Sequence, residues 1–346
     1  MTPTRRSITL GGITLGASAA VIAGVLPVSA LAARPTVGRI RRLSPALDAV
    51  ASPDAVIEQL ADGFVWSEGP VWVKDGDYLV FSDVPANTIY RWSEAEGASV
   101  FLKPSGYDGP PTKIFREPGS NGLALGADGA LLVCDHGNRS ISRVDLKTRK
   151  KTILLDRYQG KRFSSPNDLA VAKSGAIYFT DPPYGLEGLN ASPAKEMAFN
   201  GVYLRRPDGS VAVVDDKLTF PNGLALTPDE KRLYVAVSDP EGPVIMAYDL
   251  GPDGLPTKSS VFFDAMALLK AGGPGLPDGM CLDTEGRLYA TGPGGVLVIM
   301  PSGELIGVIE TGRPVANCAF GEDGHTLFLT ADDILARVRL KTTGLV

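Results

Sequence analysis

The sequence contains few of the residues on which many catalytic and binding sites depend. Its 346 residues include only two histidines and three cysteines. Two histidines, with no closely spaced Cys/His pattern, disfavour a zinc site, and three cysteines do not make a disulfide framework. The chain also lacks a Gly-x-Ser-x-Gly elbow, a Gly-x-x-x-x-Gly-Lys phosphate loop and a Gly-x-Gly-x-x-Gly turn. These absences disfavour α/β-hydrolases, P-loop proteins and dinucleotide-binding domains.

Positive charge is also scarce relative to negative charge. The chain has 34 Lys and Arg residues against 39 Asp and Glu residues, a formal net charge of −5. Because no basic stripe stands out, nucleic acid is not an expected partner. Helical periodicity is nearly absent, whereas glycine (40) and proline (27) are frequent and scattered through turns. This composition is typical of a globular protein built from many short strands.

The first 33 residues differ from the rest of the chain. Arg5 and Arg6 precede a stretch without charge, residues 7–33, and Ala30 and Ala32 form an Ala-x-Ala pattern. This arrangement predicts an export signal of the twin-arginine type, and hence a periplasmic protein with no stable membrane span after cleavage. An uncleaved membrane anchor is the alternative, since an uncharged stretch of this length could span a bilayer. We expect residues 34–50 to form a linker and residues 51–346 to form one domain.

One short phrase recurs along this domain, and each copy leads into an apolar run, a turn and a second apolar run. The key residues of the six phrases are Glu68, Asn121, Asn167, Asn222, Asp278 and Asn317. Their spacings are 53, 46, 55, 56 and 39 residues, a period that indicates a repeat fold with one small sheet per unit. Six hairpin units with outer strands predict an all-β, six-bladed β-propeller. A β-sandwich, the main alternative, does not repeat a phrase at this period.

The innermost strand of each propeller blade runs along the central channel, so the key residues should meet at one end of it. Two of them, Glu68 and Asp278, carry carboxylates that repel each other unless a cation lies between them. Carboxylate and amide oxygens are the ligands that Ca²⁺ prefers. For any single phrase the alternative is turn chemistry, which Asn, Asp and Gly favour. The set as a whole predicts one divalent cation, Ca²⁺, in the central channel.

Several phrases resemble those of the gluconolactonase/senescence-marker-protein (regucalcin) family, from about residue 60 to the end. They are Glu68-Gly-Pro-Val-Trp, Ser165-Pro-Asn-Asp, Phe220-Pro-Asn-Gly-Leu and Leu276-Pro-Asp-Gly-Met. Two further phrases, Cys134-Asp-His-Gly-Asn-Arg and Phe179-Thr-Asp-Pro-Pro-Tyr-Gly, are similar to the bacterial gluconolactonase branch. The resemblance implies a six-bladed propeller that holds one divalent cation, usually calcium, and hydrolyses sugar lactones or related esters.

The resemblance also implies roles for residues of this chain. Its metal ligands would be Glu68, Asn167, Asn222 and Asp278, and Asn167 would alternatively contact the substrate. Asn121 either binds substrate or holds a loop, and Asn317 is expected to be structural.

Two residues outside the six repeated phrases are further candidates. His136 is a candidate substrate-binding residue and proton carrier, although a lone histidine is more often structural. Asp181 is a candidate base, with the capping of a turn before Pro182-Pro183 as the alternative.

These residues together suggest a metal-dependent lactonase acting on an aldonolactone such as gluconolactone. The cation would polarise the lactone carbonyl, water would attack, and a carboxylate would take the proton, with Asp278 the first candidate and Asp181 the second. Alternatives on the same scaffold are a phosphotriesterase or other ester hydrolase, a strictosidine-synthase-like enzyme, and a calcium-binding propeller without catalytic activity. The segment Lys103–Gly119 is a candidate lid or rim.

Overall fold

The computed structural model describes residues 34–346, so the predicted export segment lies outside the described residues. Six antiparallel sheets of four or five strands account for most of the chain, and the first strands of successive sheets contact one another in a closed ring. This arrangement is a six-bladed β-propeller with one sheet per blade, which confirms the predicted fold. Between residues 34 and 346 no helix is long and apolar enough to cross a membrane.

The strands, in chain order, are β1 (Arg39–Arg42), β2 (Ile57–Asp62), β3 (Ser67–Val73), β4 (Tyr78–Asp83), β5 (Thr88–Ser93), β6 (Gly97–Leu102), β7 (Ser120–Leu125), β8 (Leu131–Asp135), β9 (Ser140–Val144), β10 (Lys151–Leu155), β11 (Arg157–Tyr158), β12 (Lys161–Arg162), β13 (Leu169–Val171), β14 (Ile177–Asp181), β15 (Gly201–Arg205), β16 (Val211–Asp215), β17 (Pro221–Leu226), β18 (Arg232–Val237), β19 (Val244–Leu250), β20 (Pro256–Asp264), β21 (Met280–Leu282), β22 (Leu288–Gly292), β23 (Gly295–Ile299), β24 (Leu305–Glu310), β25 (Asn317–Gly321), β26 (Thr326–Ala331) and β27 (Ile334–Arg339). One short helix, α1 (Met266–Lys270), and three 3₁₀ turns, Pro45–Ala49, Lys74–Gly76 and Leu189–Ala191, complete the described elements.

The first four blades follow the chain without interruption. Blade 1 is β3 to β6, blade 2 is β7 to β10, blade 3 is β13 to β16 and blade 4 is β17 to β20. The remaining pair, β11 and β12, forms a separate ribbon between blades 2 and 3. In each blade the first strand is innermost, so the repeated phrase and the strand after it lie at the axis. The second strand of a blade packs on both faces, which explains its continuous apolar sequence.

Blades 5 and 6 are completed by strands from the N-terminal end of the described chain. Blade 6 contains β25 to β27, and β2 pairs with β27 as its outermost strand, which closes the ring. Blade 5 contains β21 to β24, and β1 pairs with β24. Residues 34–50, predicted to be a linker, therefore contribute a strand. The sequence did not predict this strand, because it is rich in charge. Arg39 and Arg41 are held by ion pairs with Glu310 at 2.7 and 2.5 Å, not by apolar packing.

The apolar core is divided among the six contacts between neighbouring blades. Each contact has its own cluster of buried side chains. Val80 and Val133, for example, meet between blades 1 and 2, and Phe81 and Phe328 meet between blades 1 and 6. Because no blade can bury both of its faces alone, the ring is the smallest unit that removes these surfaces from water.

Glycines allow the repeated phrases to approach one another at the axis. A methyl group on Gly223 would overlap the carbonyl group of Asp278 in the next blade, and one on Gly279 would overlap the side chain of Asn317. Only glycine tolerates backbone contact this close. The recurring glycine after the key residue is thus a packing requirement, and it sets how near the key residues of adjacent blades can lie.

Replacement of Gly279 by alanine tests this packing. We expect Gly279→Ala to destabilise the protein by about 1–3 kcal/mol, because the new methyl group must displace Asn317. Gly242→Ala is the matched control, since Gly242 has no positive φ and nothing lies near its would-be Cβ atom. Urea unfolding followed by tryptophan fluorescence measures both. If the two variants are equally stable, the inner strands have more room than the structure indicates.

Candidate active site

The local backbone aims the key residues into the channel. Glu68, Asn121 and Asn222 are each the second residue of an inner strand. The pairing register shifts directly after Glu68, and Asn121 and Asn222 lie within the corresponding shifts of their strands. Such a β-bulge twists the strand and re-aims a side chain. Asn167 and Asp278 lie just before their inner strands instead. The key residues therefore reach the axis from the same end of every blade.

Five of the six key residues line a single cavity of about 690 Å³. They are Glu68, Asn121, Asn167, Asn222 and Asp278. The structure thus brings together the four predicted metal ligands and one predicted substrate-binding residue. Asn317 does not line the cavity; its Nδ2 donates to Asp168 at 3.3 Å and its Oδ1 accepts from the backbone of Cys318 at 2.8 Å. These bonds agree with the structural role expected for Asn317.

The amide side chains form a hydrogen-bonded chain across blades 2, 3 and 4. Asn121 Nδ2 donates to Asn167 Oδ1 at 2.8 Å, and Asn167 Nδ2 donates to Asn222 Oδ1. Asn222 Nδ2 donates to Ser238 Oγ at 2.8 Å, and this hydroxyl donates to the carbonyl oxygen of Pro277 in blade 5. A carboxamide has two acceptor sites and two donors. Asn167 and Asn222 each keep one acceptor site and one N–H group beyond this chain of bonds.

The carboxylates of the site are held close together against their mutual repulsion. Burial and the negative charge of Asp168 raise the pKa of Glu68 to about 8. Burial, together with the charges of Glu68 and Asp168, raises the pKa of Asp278 well above its usual range. Two carboxylates in this state require either protons or a cation nearby.

Asp168 was not predicted as part of the axis. Its side chain is 7% exposed, and burial raises its pKa to about 7. One oxygen accepts from the backbone N–H of Leu169 at 2.9 Å and the other from Asn317. The signal was present, because Asp168 occupies the place that Gly122, Gly223 or Gly279 takes in other phrases. A carboxylate there adds negative charge behind the cavity floor.

The cavity wall contains further residues that sequence patterns did not mark. Arg116 and Glu117 come from the predicted rim segment, and Tyr184 and Ser238 follow the second strands of blades 3 and 4. Burial raises the pKa of Glu117. The remaining wall is mainly apolar, and includes Val65, Trp66, Pro85, Leu276, Pro314 and Val315.

The donor set fits a hard divalent cation. Within residues 34–346 no three His, Cys, Asp or Glu side chains are grouped so that they could hold a metal ion, so a cation here would need amide oxygens as well. Glu68 and Asp278 supply carboxylates, and Asn167 and Asn222 keep the acceptor sites described above. Such mixed oxygen sets suit Ca²⁺. A cation would also relieve the repulsion that raises the two carboxyl pKa values.

Two candidates, His136 and Asp181, lie behind the cavity wall. His136 is fully buried, and burial lowers its pKa to about 3, so its imidazole is neutral. Asp181 is also fully buried, and its oxygens accept from the backbone N–H groups of Ser164 at 2.9 Å and Ser165 at 2.8 Å. Asp181 therefore caps residues 164–165 and not the predicted turn before Pro182-Pro183. It positions the segment that leads to Asn167 and does not face the cavity.

Ser238 offers a test of the amide chain. We expect Ser238→Ala to lower catalytic turnover about tenfold, because Asn222 loses the acceptor that orients its amide. Ser238 is half-buried at the cavity wall, so the unfolding midpoint should change little, and Ser238→Thr should restore part of the turnover. Unaltered kinetics in Ser238→Ala would show that the orientation of Asn222 does not depend on this bond.

Comparisons with known proteins agree with this geometry. The family model described as "SMP-30/Gluconolactonase/LRE-like region" matches residues 66–333. A gluconolactonase of Zymomonas mobilis is 49% identical over 313 residues, which cover 89% of this chain and 88% of that protein. A solved gluconolactonase of Xanthomonas campestris has a TM-score of 0.76 at 35% identity, covering 89% of this chain and 98% of that one.

The calcium-binding protein regucalcin of Agrobacterium tumefaciens shares the fold. Its structure has a TM-score of 0.63 at 19% identity, over 83% of this chain and 94% of that one. The family model covers most of the propeller, and the Zymomonas relative is similar over nearly its whole length. The chain therefore belongs to the SMP-30/gluconolactonase/LRE-like family.

Proposed function

We propose that the protein hydrolyses a sugar lactone of the gluconolactone type with the help of one divalent cation, Ca²⁺. The observation that carries the proposal is the meeting of Glu68 and Asp278, from blades 1 and 5, with three amide side chains in one cavity. The gluconolactonases of Zymomonas mobilis and Xanthomonas campestris support the choice of substrate.

The residues that would hold the cation are Glu68, Asn222 and Asp278, with Asn167 either completing the set or contacting the substrate. When bound, the cation would supply a Lewis acid for the lactone carbonyl and charge to stabilise the oxyanion. The side chain of Asn167 keeps one N–H group that the amide chain does not use, and Asn121 donates a hydrogen bond directly to Asn167. Both amides are placed to bind hydroxyl groups of the substrate.

Asp278 is the proposed base that takes the proton from the attacking water. It is only partly buried, whereas Glu68 is 3% exposed and one of its oxygens accepts from the N–H of Gly69 at 2.9 Å. The apolar wall around Trp66 and Leu276 strengthens every charge interaction at the floor by excluding water.

Substitution of the two carboxylates tests the proposal. We expect Glu68→Gln and Asp278→Asn each to weaken Ca²⁺ binding about 100-fold or more, since the site then holds one fewer negative charge. Lactone hydrolysis should be lost with it. Calorimetric titration measures binding and a pH-indicator assay measures hydrolysis. Asp128→Asn, at an exposed carboxylate paired with Arg143, is the charge-matched control.

Three outcomes would contradict the proposal. Full lactonase activity after removal of metal by a chelator would exclude dependence on a cation. Faster hydrolysis of an organophosphate triester than of gluconolactone would indicate that the substrate is a phosphotriester and not a lactone. Calcium binding without turnover of either substrate would leave a binding protein.

We further propose that the protein is exported to the periplasm in the folded state. The support is the Arg5-Arg6 pair and the uncharged stretch that follows it. Replacement of both arginines by lysine should hold the protein in the cytoplasm, because the export route reads this pair. Cell fractionation followed by lactonase assay measures the distribution. Equal periplasmic activity of the Arg5→Lys/Arg6→Lys variant and the wild type would contradict the twin-arginine route.

A further inference from the structure

The segment between blades 1 and 2, residues 103–119, brings two charged side chains to the cavity that no repeated phrase supplies. Arg116 and Glu117 line the same cavity as the metal-ligand candidates Glu68 and Asp278. Neither belongs to a strand, and no described connection between blades is longer than this one. The two side chains must therefore be positioned by contacts of the segment itself.

Those contacts fix the segment at its tip and at its base. At the tip, Arg116 N donates to the carbonyl oxygen of Gly185 at 3.0 Å, next to a β-bridge between Phe115 and Leu186. At the base, Tyr107 N donates to the carbonyl oxygen of Pro118 at 2.8 Å. Gly119 N donates to the carbonyl oxygen of Val84 in blade 1 at 3.1 Å. The segment is thus held against the loop that follows the second strand of blade 3. Its backbone is therefore fixed beside the cavity, which lowers the cost of ordering the charged pair.

Arg116 and Glu117 form an ion pair with unused hydrogen-bonding capacity. Arg116 Nη2 lies 2.6 Å from Glu117 Oε1, and the side chains are 50% and 13% exposed. Glu117 Oε2 lies 3.7 Å from Nδ1 of the buried His136, beyond hydrogen-bond distance. Of the two carboxylate oxygens of Glu117, only Oε1 receives a hydrogen bond from residues 34–346. The pair therefore offers further N–H donors and one carboxylate oxygen side by side at the cavity.

A donor beside an acceptor matches two adjacent hydroxyl groups, each of which can donate and accept. The neighbouring wall, formed by residues such as Trp66, Leu276 and Pro314, is mainly apolar, so the pair supplies the charged groups for hydroxyl binding outside the floor of the cavity. A lactone without hydroxyl groups would cover the charged pair and leave it poorly solvated. Sites built to bind a hydroxyl group reject analogues that lack it for this reason.

We propose that Arg116 and Glu117 together bind adjacent hydroxyl groups of the lactone ring and so restrict the substrate to polyhydroxylated lactones. The inference rests on the proposed function and adds a determinant of substrate class to it. The metal-ligand candidates come from repeated phrases, whereas this pair comes from a segment that the repeat does not contain. Selectivity should therefore change without loss of the cation when the pair is altered.

The first test compares glucono-δ-lactone with δ-valerolactone, which has no hydroxyl groups. In Arg116→Gln and in Glu117→Gln, the ratio of kcat/KM for the first lactone to that for the second should fall about 10- to 100-fold. Arg143→Gln is the matched control, because Arg143 forms a similar pair with Asp128 outside the cavity. An unchanged ratio in both variants would overturn the inference.

The second test does not depend on turnover. Trp66 lines the cavity, whereas Trp72 and Trp92 are 5% and 0% exposed, so fluorescence changes on binding should come from Trp66. The polyol D-glucitol should quench wild-type fluorescence in a saturable way, and each variant should bind it at least about tenfold more weakly. Equal binding by the wild type and both variants would overturn the inference.

The two tests separate the inference from the proposed function. If the wild type opens neither lactone but the variants lose D-glucitol binding, the lactonase proposal fails and the hydroxyl site stands. If the wild type opens lactones and neither the ratio nor polyol binding responds to the variants, the lactonase proposal stands and the hydroxyl site fails. Both variants should still bind one Ca²⁺ ion, with an affinity changed only by the altered charge near Glu68 and Asp278, which would show that the floor of the site is intact.

Discussion

The site depends on how closely the six inner strands approach one another. Gly223 and Gly279 leave no space between neighbouring phrases, and side-chain hydroxyls tie the phrases together. Thr180 Oγ1, for example, donates to the carbonyl oxygen of Asn222 at 2.8 Å, and Thr291 Oγ1 to that of Ala316 at 3.1 Å. With contacts this tight, five of the six key side chains point into the channel. Carboxylates are thereby held together that would separate in a looser ring, and the apolar packing between blades offsets their repulsion.

Much of the fold and the floor of the site could be predicted from the sequence, because both follow from a repeat. One phrase per blade predicted six blades, and the position of the phrase before an inner strand placed Glu68 and Asp278 at the axis. What could not be predicted depends on contacts between distant segments. The strand Arg39–Arg42 has no apolar alternation, because Glu310 holds it through charge. Glu117 lies in an irregular segment whose path is set by Gly185.

Asp181 and Asp168 show why a carboxylate near the axis cannot be assigned a role from its position in the chain. Both are buried beside Asn167, and burial raises the pKa of each to about 7. Asp181 points back to cap residues 164–165, whereas Asp168 adds charge behind the cavity floor. Asp181 ends β14 and Asp168 directly precedes β13. The period of the sequence does not show which of these two positions adds charge at the axis. Asp278 is distinguished by its partial exposure at the cavity, which only the assembled ring defines.

 The pairing of β2 with β27 places Ile57 opposite Val338, so the last blade is built from both ends of the described chain. Blade 6 consequently stays incomplete until synthesis has reached β27, and a product truncated before that strand would keep β2 as an open edge. Open strand edges pair readily with other chains. Ring closure therefore requires a polypeptide that extends through β27, because β2 has no other partner strand among the described residues.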